Sequence, residues 1–417
     1  MSDRSTDHHP TDHHPADHRP ADGGADAGRP DELHTGRLHP GLRAALDRVL
    51  DPELRRPVTE LGMIRSAELD DAGHAVVHVL LTISGCPLRS TIEHDVREAV
   101  GTVDGVRSVA VEVGVMTPEQ RTALKQRVGH TRTVPFNDPG SLTRVHAVTS
   151  GKGGVGKSTV TVNLAAALAA QGRTVGIVDA DVHGFSVPGL LGIDRGPTQV
   201  GDMILPPVVE VPAEARRGDR EGVLKVISIG MFVDPDQPVA WRGPMLHRAV
   251  EQFLTDVHFG DLDHLFLDLP PGTGDIAISV AQLLPSAEVL VVSTPQQAAV
   301  EVAERSGALA VQTGQTVAGV VENMAGMPMP DGSVLELFGS GGGERIARSL
   351  TRRLGYDVPL LGAVPLDVAL REGGDTGRPV VWSAPDSPAA AALRAVAENL
   401  GTRRRGLAGR PLGLNPR

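Results

Sequence analysis

The segment GKGGVGKST, residues 151–159, constrains the fold of this chain more than any other part of its sequence. A glycine stands four residues before a Gly-Lys-Ser triplet, which is the spacing of a phosphate-binding P-loop. The apolar segment VHAVTS precedes the loop, and STVTVNLAAALAA continues from its end, so the loop connects a predicted strand to a predicted helix. This context is specific for a nucleotide-binding α/β domain.

The glycines of this loop allow backbone N–H groups to close around phosphate oxygens at a helix N-terminus, where the helix dipole adds to the attraction. Lys157 is expected to reach the β- and γ-phosphates of ATP, and the Ser158 hydroxyl is expected to bind Mg²⁺. The sequence therefore predicts an ATP-hydrolysing enzyme with ATP and Mg²⁺ as its cofactors. The predicted nucleotide-binding residues of the loop are Gly151, Lys152, Gly153, Gly154, Val155, Gly156, Lys157, Ser158 and Thr159.

Charge and cysteine content limit the partners and the compartment. The chain of 417 residues has a formal net charge of −11, which opposes general attraction to nucleic acid or anionic lipid because both are negatively charged. It has one cysteine and therefore no intrachain disulfide, as is usual in a reducing compartment. No apolar run approaches the length of a membrane helix, and the N-terminus lacks the pattern of a signal peptide. We expect a cytoplasmic protein with no nucleic-acid partner and no membrane partner.

Strand and helix patterns predict two folded domains. Beyond Arg144, short apolar strands alternate with helical stretches, which is typical of a parallel sheet covered by helices on both faces. Before it, helices at 41–50 and 90–100 alternate with strands at 74–83 and 107–113. The predicted fold class is therefore α/β, a doubly wound parallel-sheet P-loop NTPase domain with a small N-terminal α+β domain and a disordered N-terminal tail.

Composition sets the predicted boundaries of these segments. They are a His-, Asp- and Pro-rich tail at 1–38, the small domain at 39–116, a linker at 117–143, the P-loop domain at 144–400 and a basic flexible tail at 401–417. The first tail repeats a five-residue unit, and its histidines have a spacing that suits a transition metal, although a solvated tail is the simpler interpretation. Those histidines are His8, His9, His13, His14 and His18.

A second lysine near the start of the loop, Lys152, narrows the class. With it, the segment resembles the deviant Walker motif of the MinD, ParA and nitrogenase iron-protein superfamily. The resemblance implies a nucleotide-sandwich homodimer in which Lys152 reaches the nucleotide of the partner. It would supply positive charge to the transition state, as an arginine finger does.

Two acidic stretches, VDADVHG and LFLDLPPGTGD, follow predicted strands, where open α/β sheets place their ligands. By resemblance to the superfamily, Asp181 orients the attacking water, and Asp179 supports Mg²⁺. Asp268 would hold a Mg²⁺-bound water, and the Gly272 N–H would sense the γ-phosphate. Lys152, Lys157 and Asp181 are thus the predicted catalytic residues.

Three further positions resemble the base-binding parts of the superfamily. Asn323, in the segment GVVENM, matches the position that hydrogen-bonds adenine. The segment Thr294 to Gln297 and Pro365 match loops that line the base. The resemblance therefore adds these positions to the predicted ATP site.

A narrower resemblance, to the Mrp/ApbC (Nbp-type) iron–sulfur cluster carrier ATPases, covers nearly all of residues 40–400. It rests on the strings VAWRGPM, DLPPGTGD and FGSGGGE. The segments DPELRRPVTELGMI and ISGCPL resemble the small domain of SufT- and PaaD-type assembly factors. The resemblance implies binding of iron–sulfur clusters and their transfer to apoprotein clients, with those clients or other assembly factors as partners.

The chain departs from that family at one place. Known members carry a Cys-x-x-Cys pair after the ENM strand, by which two subunits bind a bridging cluster. This chain has Met327, Pro328, Met329 and Pro330 there, and thioethers substitute poorly for thiolates on iron. Cys86 is therefore the only thiol with which the chain could hold a cluster. It precedes a predicted helix, and a helix N-terminus lowers the pKa of a thiol, although a small buried apolar residue is the alternative.

Three interpretations remain open from the sequence. In the first, the protein serves iron–sulfur assembly, with cluster ligands from Cys86 or a partner. In the second, it is an ATP-dependent switch that has lost cluster carriage and acts on another client. In the third, it is a partition-type ATPase that binds DNA or membranes, which the net charge opposes.

Overall fold

The computed structural model describes residues 38–402, except Ser84, His183, residues 234–242, Thr273, residues 297–309 and residues 311–312. The histidines of the N-terminal tail, the VAWR part of VAWRGPM, Gln297 and the basic tail from residue 403 lie outside the described residues. Within the described part, no helix is long and apolar enough to cross a membrane.

The small domain is built on a three-stranded sheet with the order β1-β2-β3. β1 pairs antiparallel with β2, and β2 pairs parallel with β3 through a crossover that contains α2. The alternating apolar residues of β2 predict a half-buried strand. β1 contains more polar residues, so the same alternation does not predict it. The elements are α1 (Pro40–Leu46), β1 (Ile64–Leu69), β2 (His74–Leu81), α2 (Arg89–Gly101) and β3 (Ser108–Val115).

The large domain is built on an eight-stranded sheet with the order β15-β12-β11-β4-β10-β5-β9-β8. Its strands are parallel except β8, which runs antiparallel to β9 at one edge. The sheet strands are β4 (Arg144–Ser150), β5 (Thr174–Asp179), β8 (Val208–Glu210), β9 (Val223–Ser228), β10 (His264–Asp268), β11 (Glu288–Ser293), β12 (Thr316–Asn323) and β15 (Leu360–Val364). Two short hairpins lie outside this sheet, β6 (Thr198–Val200) with β7 (Met203–Leu205), and β13 (Met327–Pro328) with β14 (Val334–Leu335).

Helices cover both faces of the large sheet, as the continuous apolar strands predict. One buried cluster joins the sheet to the helices Lys157–Ala170, Val380–Ser383 and Pro388–Thr402, and a second joins it to the helices Gly243–Thr255, Asp275–Leu283 and Gly342–Leu354. The first of these helices, which follows the P-loop, is rich in alanine and buried over most of its length. The helices are α3 (Pro118–Arg127), α4 (Lys157–Ala170), α5 (Val187–Leu190), α6 (Gly243–Thr255), α7 (Asp275–Leu283), α8 (Gly342–Leu354), α9 (Val368–Asp375), α10 (Val380–Ser383) and α11 (Pro388–Thr402).

The core of the small domain includes side chains from the large domain. Val200, Met203 and Leu205 of the β6–β7 hairpin are buried in the same apolar cluster as the small sheet and α2. A buried hydrogen bond of 2.6 Å from the Thr198 hydroxyl to Glu53 Oε1 accompanies this packing. The hairpin therefore holds the small domain against the large one.

The segment that the sequence predicts as a linker begins with an ordered helix. α3 starts at a capping box formed by Thr117 and Gln120, and its Leu124 is fully buried in the small-domain core. Lys125 on the same helix pairs with Asp202 in the turn of the β6–β7 hairpin at 2.5 Å. The first part of the predicted linker thus packs with the small domain.

Candidate nucleotide site

The P-loop lies between the carboxyl end of β4 and the start of α4, beside a cavity of about 420 Å³. Gly154 and Gly156 have positive φ angles, which glycine adopts without strain. A Cβ atom on Gly156 would also stand 2.3 Å from Asn323 Nδ2, so any other residue here would displace the Asn323 side chain as well as strain the backbone. The cavity is lined by Ser150, Lys152, Gly153, Gly154, Val155, Gly156, Lys157, Ser158, Thr159, Asp181, Gly184, Ser186, Pro270 and Pro271.

Lys157 lies at the first turn of α4 and is almost entirely buried. Its Nζ is 2.8 Å from Asp268 Oδ1 and 3.6 Å from Asp181 Oδ2. Two carboxylates therefore hold one ammonium group at the floor of the cavity. A buried charge needs such partners because burial removes its hydration.

Ser158 and Asp268 meet at the same floor. The Ser158 hydroxyl donates to Asp268 Oδ2 at 2.5 Å, and the Thr161 hydroxyl lies 3.0 Å from Asp268 Oδ1. A hydroxyl and a carboxylate are hard oxygen donors that fit Mg²⁺, which keeps several waters and also binds substrate phosphates. Among the described residues, no group of three or more His, Cys, Asp or Glu side chains is placed to hold a metal ion. The donor set thus fits a cation shared with a nucleotide.

Asp179 lies behind the cavity rather than in it. Its carboxylate is fully buried and accepts hydrogen bonds from the backbone N–H of Asp181 at 3.2 Å, the N–H of Val187 at 3.3 Å and the Ser228 hydroxyl at 3.0 Å. Burial, with a smaller contribution from the negative Asp268, raises the pKa of Asp179 to about 7. This placement differs from the magnesium-binding role that the sequence predicts, because both oxygens are already engaged by protein donors.

Asp181 follows β5 and does line the cavity. Its carboxylate is mostly buried and faces Lys157 across 3.6 Å. The backbone N–H of Asp181 donates to the Asp179 carboxylate, and this bond fixes the main chain that carries the Asp181 side chain. A carboxylate next to the phosphate-binding loop is suitably placed to accept a hydrogen bond from water.

Lys152 points across the mouth of the cavity within its own chain. Its Nζ donates to Gln296 Oε1 at 2.6 Å, and the Lys152 carbonyl accepts from the Ser150 hydroxyl at 3.0 Å. Its partner Gln296 lies three residues beyond β11, in the segment that the sequence assigns to the base-binding loops. The lysine is therefore tied to that loop in a single chain.

Gly272, whose N–H is expected to sense the γ-phosphate, has a partner within the protein. The Gly272 N–H donates to the Ser150 carbonyl at 2.8 Å, and Gly272 has a φ of +92°. This bond joins the loop after β10 to the start of the P-loop. A γ-phosphate would have to compete for this N–H group.

The positions assigned to the base lie at the carboxyl ends of β11, β12 and β15. Asn323 donates from Nδ2 to the Val155 carbonyl of the P-loop at 2.8 Å, and its buried Oδ1 accepts no hydrogen bond from the described residues. The buried Thr294 hydroxyl is likewise without a partner among those residues. Pro365 directly follows β15 and is half-buried. Unpaired buried polar atoms next to a P-loop are compatible with a polar base, since such atoms normally have partners.

Cys86 lies in the turn before α2 and is half-buried. It packs against the core of the small domain, and this burial raises the pKa of its thiol. The negative Glu53 and Asp51 raise it further, whereas the Leu88 backbone hydrogen bond lowers it less than burial raises it. The sequence-based expectation of a lowered thiol pKa is therefore wrong, because desolvation outweighs the effect of the helix N-terminus.

The position of the missing cysteine pair forms a short hairpin. Met327 pairs with Leu335, and Pro328 pairs with Val334 in β13 and β14. Several apolar side chains of this hairpin are exposed. They are Met329, Val334, Leu335 and Leu337.

Two residues of the site are absent from the sequence-based prediction, and a third, Gln296, is predicted only as part of a base-lining loop. Thr161 is four positions after Lys157 and therefore lies on the same face of α4. Helix periodicity could have predicted that it lies beside Asp268 as Lys157 does. Ser228 ends a strand that the apolar pattern does not reveal, and it bonds to Asp179. No local signal identifies Gln296 as the partner of Lys152, because that contact depends on the loop after β11.

The fold and the site together define a P-loop nucleotide-binding protein of the doubly wound α/β class. The family model for the NUBPL iron-transfer P-loop NTPase matches residues 141–401, and a model described as an iron–sulfur cluster assembly protein matches residues 41–113. The first match spans more than half of the chain. The chain belongs to the NUBPL iron-transfer P-loop NTPase family.

Similar curated proteins agree with that membership. The iron–sulfur cluster carrier protein of Mycobacterium tuberculosis is 55% identical over 384 residues, which cover 91% of this chain and 98% of the relative. The protein of the same name from Synechocystis is 42% identical over 360 residues, covering 84% and 94%. That of Bacillus subtilis is 38% identical over 327 residues, covering 78% and 87%.

Solved structures also match. A nucleotide-binding protein from Archaeoglobus fulgidus in complex with ADP has 36% sequence identity and a TM-score of 0.46, covering 56% of this chain and 86% of that one. The septum site-determining protein MinD from Pyrococcus horikoshii, complexed with Mg-ADP, has 24% identity and a TM-score of 0.42, covering 64% and 98%.

Proposed function

We propose that the protein is a Mg²⁺-dependent ATPase that carries iron–sulfur clusters and transfers them to apoproteins, and that it acts as a homodimer. The observation that carries the proposal is the joint placement of Lys157, Ser158 and Asp268 at the P-loop. It occurs in a chain that is 55% identical to a named iron–sulfur cluster carrier over nearly the whole length of both.

The reaction we propose at this site is attack of water on the γ-phosphate of ATP, giving ADP and phosphate. The P-loop amides and Lys157 would hold the β- and γ-phosphates, and Ser158 and Asp268 would hold Mg²⁺, which neutralises phosphate charge. Asp181 would orient the water, since its carboxylate faces the same cavity as Lys157. No other nucleophile of the chain is required.

Lys152 is the residue that links hydrolysis to a dimer in this proposal. In one chain its ammonium group is bonded to Gln296 at the mouth of the cavity. A second copy that closed over the cavity would offer its nucleotide as a competing partner. Lys152 would then leave Gln296 and contribute charge to the γ-phosphate of that nucleotide, as an arginine finger does.

The cluster is the cargo rather than a resident group. Each copy contributes one thiol, Cys86, so a homodimer offers two, and the remaining iron ligands would come from the client or from an assembly factor. Because burial raises the pKa of Cys86, loading requires that the small domain expose and deprotonate this thiol. We propose that ATP hydrolysis drives this change.

Anaerobic reconstitution with iron and sulfide tests the cargo. The wild-type chain, a Cys86→Ser variant and a chain that begins near Asp31 would be compared by iron and sulfide quantification and by visible absorption, each with a small-molecule dithiol present to supply the iron ligands that a client would otherwise provide. The proposal expects a chromophore in the wild type and the shortened chain but not in Cys86→Ser. A chromophore in all three would place the ligands elsewhere, and transfer to an apo-ferredoxin would then be measured to test carriage itself.

A second candidate function is supported by one observation, the occupation of the cysteine-pair position by Met327, Pro328, Met329 and Pro330. The protein would then be an ATP-dependent switch that acts on another client through the exposed apolar hairpin. The same reconstitution separates the two, because the switch predicts no chromophore in any of the three chains while ATP hydrolysis persists.

A further inference from the structure

The carboxylate of Asp179 acts as a bridge between two parts of the backbone. It accepts the N–H of Asp181 on Oδ1 and the N–H of Val187 on Oδ2, and these two residues lie at opposite ends of the segment beside the cavity. The same carboxylate is fully buried and therefore depends on protein donors alone. Its position sets the position of Asp181.

Ser228 is the side chain that fixes Asp179. The two residues are register partners in the parallel β5–β9 ladder, and the Ser228 hydroxyl lies 3.0 Å from Asp179 Oδ2. The Ser228 Oγ also accepts the N–H of Gly230 at 3.2 Å. A serine hydroxyl can accept and donate at the same time, so its proton remains available to donate to Asp179.

A second contact joins the carboxyl end of β9 to the segment between Asp181 and Val187. The ring of Phe185 lies against Gly230, where a Cβ atom would be 2.3 Å from the ring carbon Cδ2 and 2.6 Å from Cγ. Any side chain at position 230 therefore displaces the ring. The carboxyl end of β9 thus contacts Asp179 through Ser228 and Phe185 through Gly230.

We propose that Ser228 is a positioning residue for ATP hydrolysis, and that Gly230 assists it by seating Phe185. The inference rests on the proposed role of Asp181 in orienting water. Ser228 holds Asp179, Asp179 holds the backbone of Asp181, and Asp181 faces Lys157 in the cavity. Small errors in the position of a water-orienting group lower the rate steeply, with about 10²-fold lost for a displacement near 1 Å.

The nucleotide contacts of the P-loop do not depend on this chain of bonds. Ser228 and Gly230 are not among the residues that line the cavity beside the P-loop. Their loss should therefore lower kcat and leave the affinity for ATP nearly unchanged. A merely structural role would instead change the affinity and the thermal stability together.

The test compares Ser228→Ala, Ser228→Thr and Gly230→Ala in the full-length chain. We expect Ser228→Ala to lower kcat about tenfold or more with KM and nucleotide Kd changed less than about twofold, and Ser228→Thr to restore most of the rate because it keeps the hydroxyl. Gly230→Ala should lower kcat without removing any hydrogen bond of Asp179. Ser66→Ala, a buried serine on β1, is the matched control and should leave both parameters unchanged.

Amide hydrogen exchange of the peptide that contains Asp181 and Val187 supplies a readout that does not require turnover. Exchange should be faster in Ser228→Ala and Gly230→Ala, and should return towards the wild-type rate in Ser228→Thr. Unchanged exchange in Ser228→Ala, or an unchanged kcat, would overturn the inference. If the wild type hydrolyses ATP no faster than Lys157→Ala, the proposed function fails, and the exchange data still decide the role of Ser228.

Discussion

Lys152 and Gln296 are joined by a 2.6 Å hydrogen bond from Nζ to Oε1 across the mouth of the nucleotide cavity. The bond holds Lys152 of the P-loop at its own chain's cavity, against the loop after β11. Lys152 must therefore release Gln296 before it can contact the nucleotide of a second copy.

Replacing Lys152 tests that arrangement. Lys152→Ala should retain ATP binding, because Lys157 and the loop amides remain, and should lose about 10³-fold or more in kcat together with ATP-dependent dimerisation. Phosphate release, titration with a fluorescent nucleotide, and light scattering after gel filtration measure the three quantities. Gln296→Ala removes only the partner within the chain, so it should keep turnover. Normal hydrolysis by Lys152→Ala would contradict a role in trans.

The effect of Mg²⁺ on ATP binding should depend on the Ser158 hydroxyl. In the wild type, Mg²⁺ should strengthen ATP binding, and chelation with EDTA should abolish hydrolysis. Ser158→Ala should bind ATP equally with and without Mg²⁺, because the hydroxyl that would ligate the ion is gone. Thr161→Ala is the matched control, since it removes the other hydroxyl beside Asp268 but lies outside the cavity lining. A Mg²⁺ effect that survives in Ser158→Ala but not in Thr161→Ala would reverse this assignment.

The β6–β7 hairpin should stabilise the small domain. Met203 is fully buried in the small-domain core, and Met203→Ala should cost that domain about 2–5 kcal/mol of unfolding free energy. Because Cys86 packs on the same core, its labelling by a thiol reagent during thermal denaturation should begin at a lower temperature. Met329→Ala, on the exposed hairpin, is the control. Equal labelling curves for the two variants would argue against a shared core.

Glu53 should make stability depend on pH. Burial is the main reason that its pKa is raised to about 7 from an ordinary 4.5, so the folded chain retains a proton that the unfolded chain loses. The contribution of Glu53 to stability should therefore fall as pH rises from about 4.5 to 7, by at most about 3 kcal/mol, and then level off. Glu53→Gln keeps an acceptor for Thr198 but should flatten the slope in chemical denaturation. The pKa values of Asp51 and Asp179 are also raised by burial, so some slope should remain. An identical slope in Glu53→Gln would exclude Glu53 as its source.

The parts of the site that the sequence predicts are those with local causes. Gly156 must have a positive φ, and Lys157 and Ser158 follow it on the first helical turn, so spacing alone places them. The apolar strands and their strand-end carboxylates, Asp181 and Asp268, are likewise visible because continuous apolar runs predict a parallel sheet.

The rest depends on tertiary contacts. β9 is hidden because Lys225 interrupts its apolar run, although the lysine is buried and donates to the Phe259 carbonyl at 2.7 Å. The place of Asp179 depends on that strand, since Ser228 at its end holds the carboxylate. The pKa of Cys86 depends on how far the turn before α2 sinks into the core. None of these leaves a periodic pattern in the sequence.

The β6–β7 hairpin has a consequence for attempts to transplant the small domain. A graft cut after α3, at Arg127, would omit Val200, Met203 and Leu205 and would leave an open groove in its apolar interior. The hydroxyl that Thr198 supplies to buried Glu53 would be lost as well. The unit that can be moved between ATPases is therefore discontinuous in sequence, and a working chimera would have to carry this hairpin from the large domain of the donor along with the small domain.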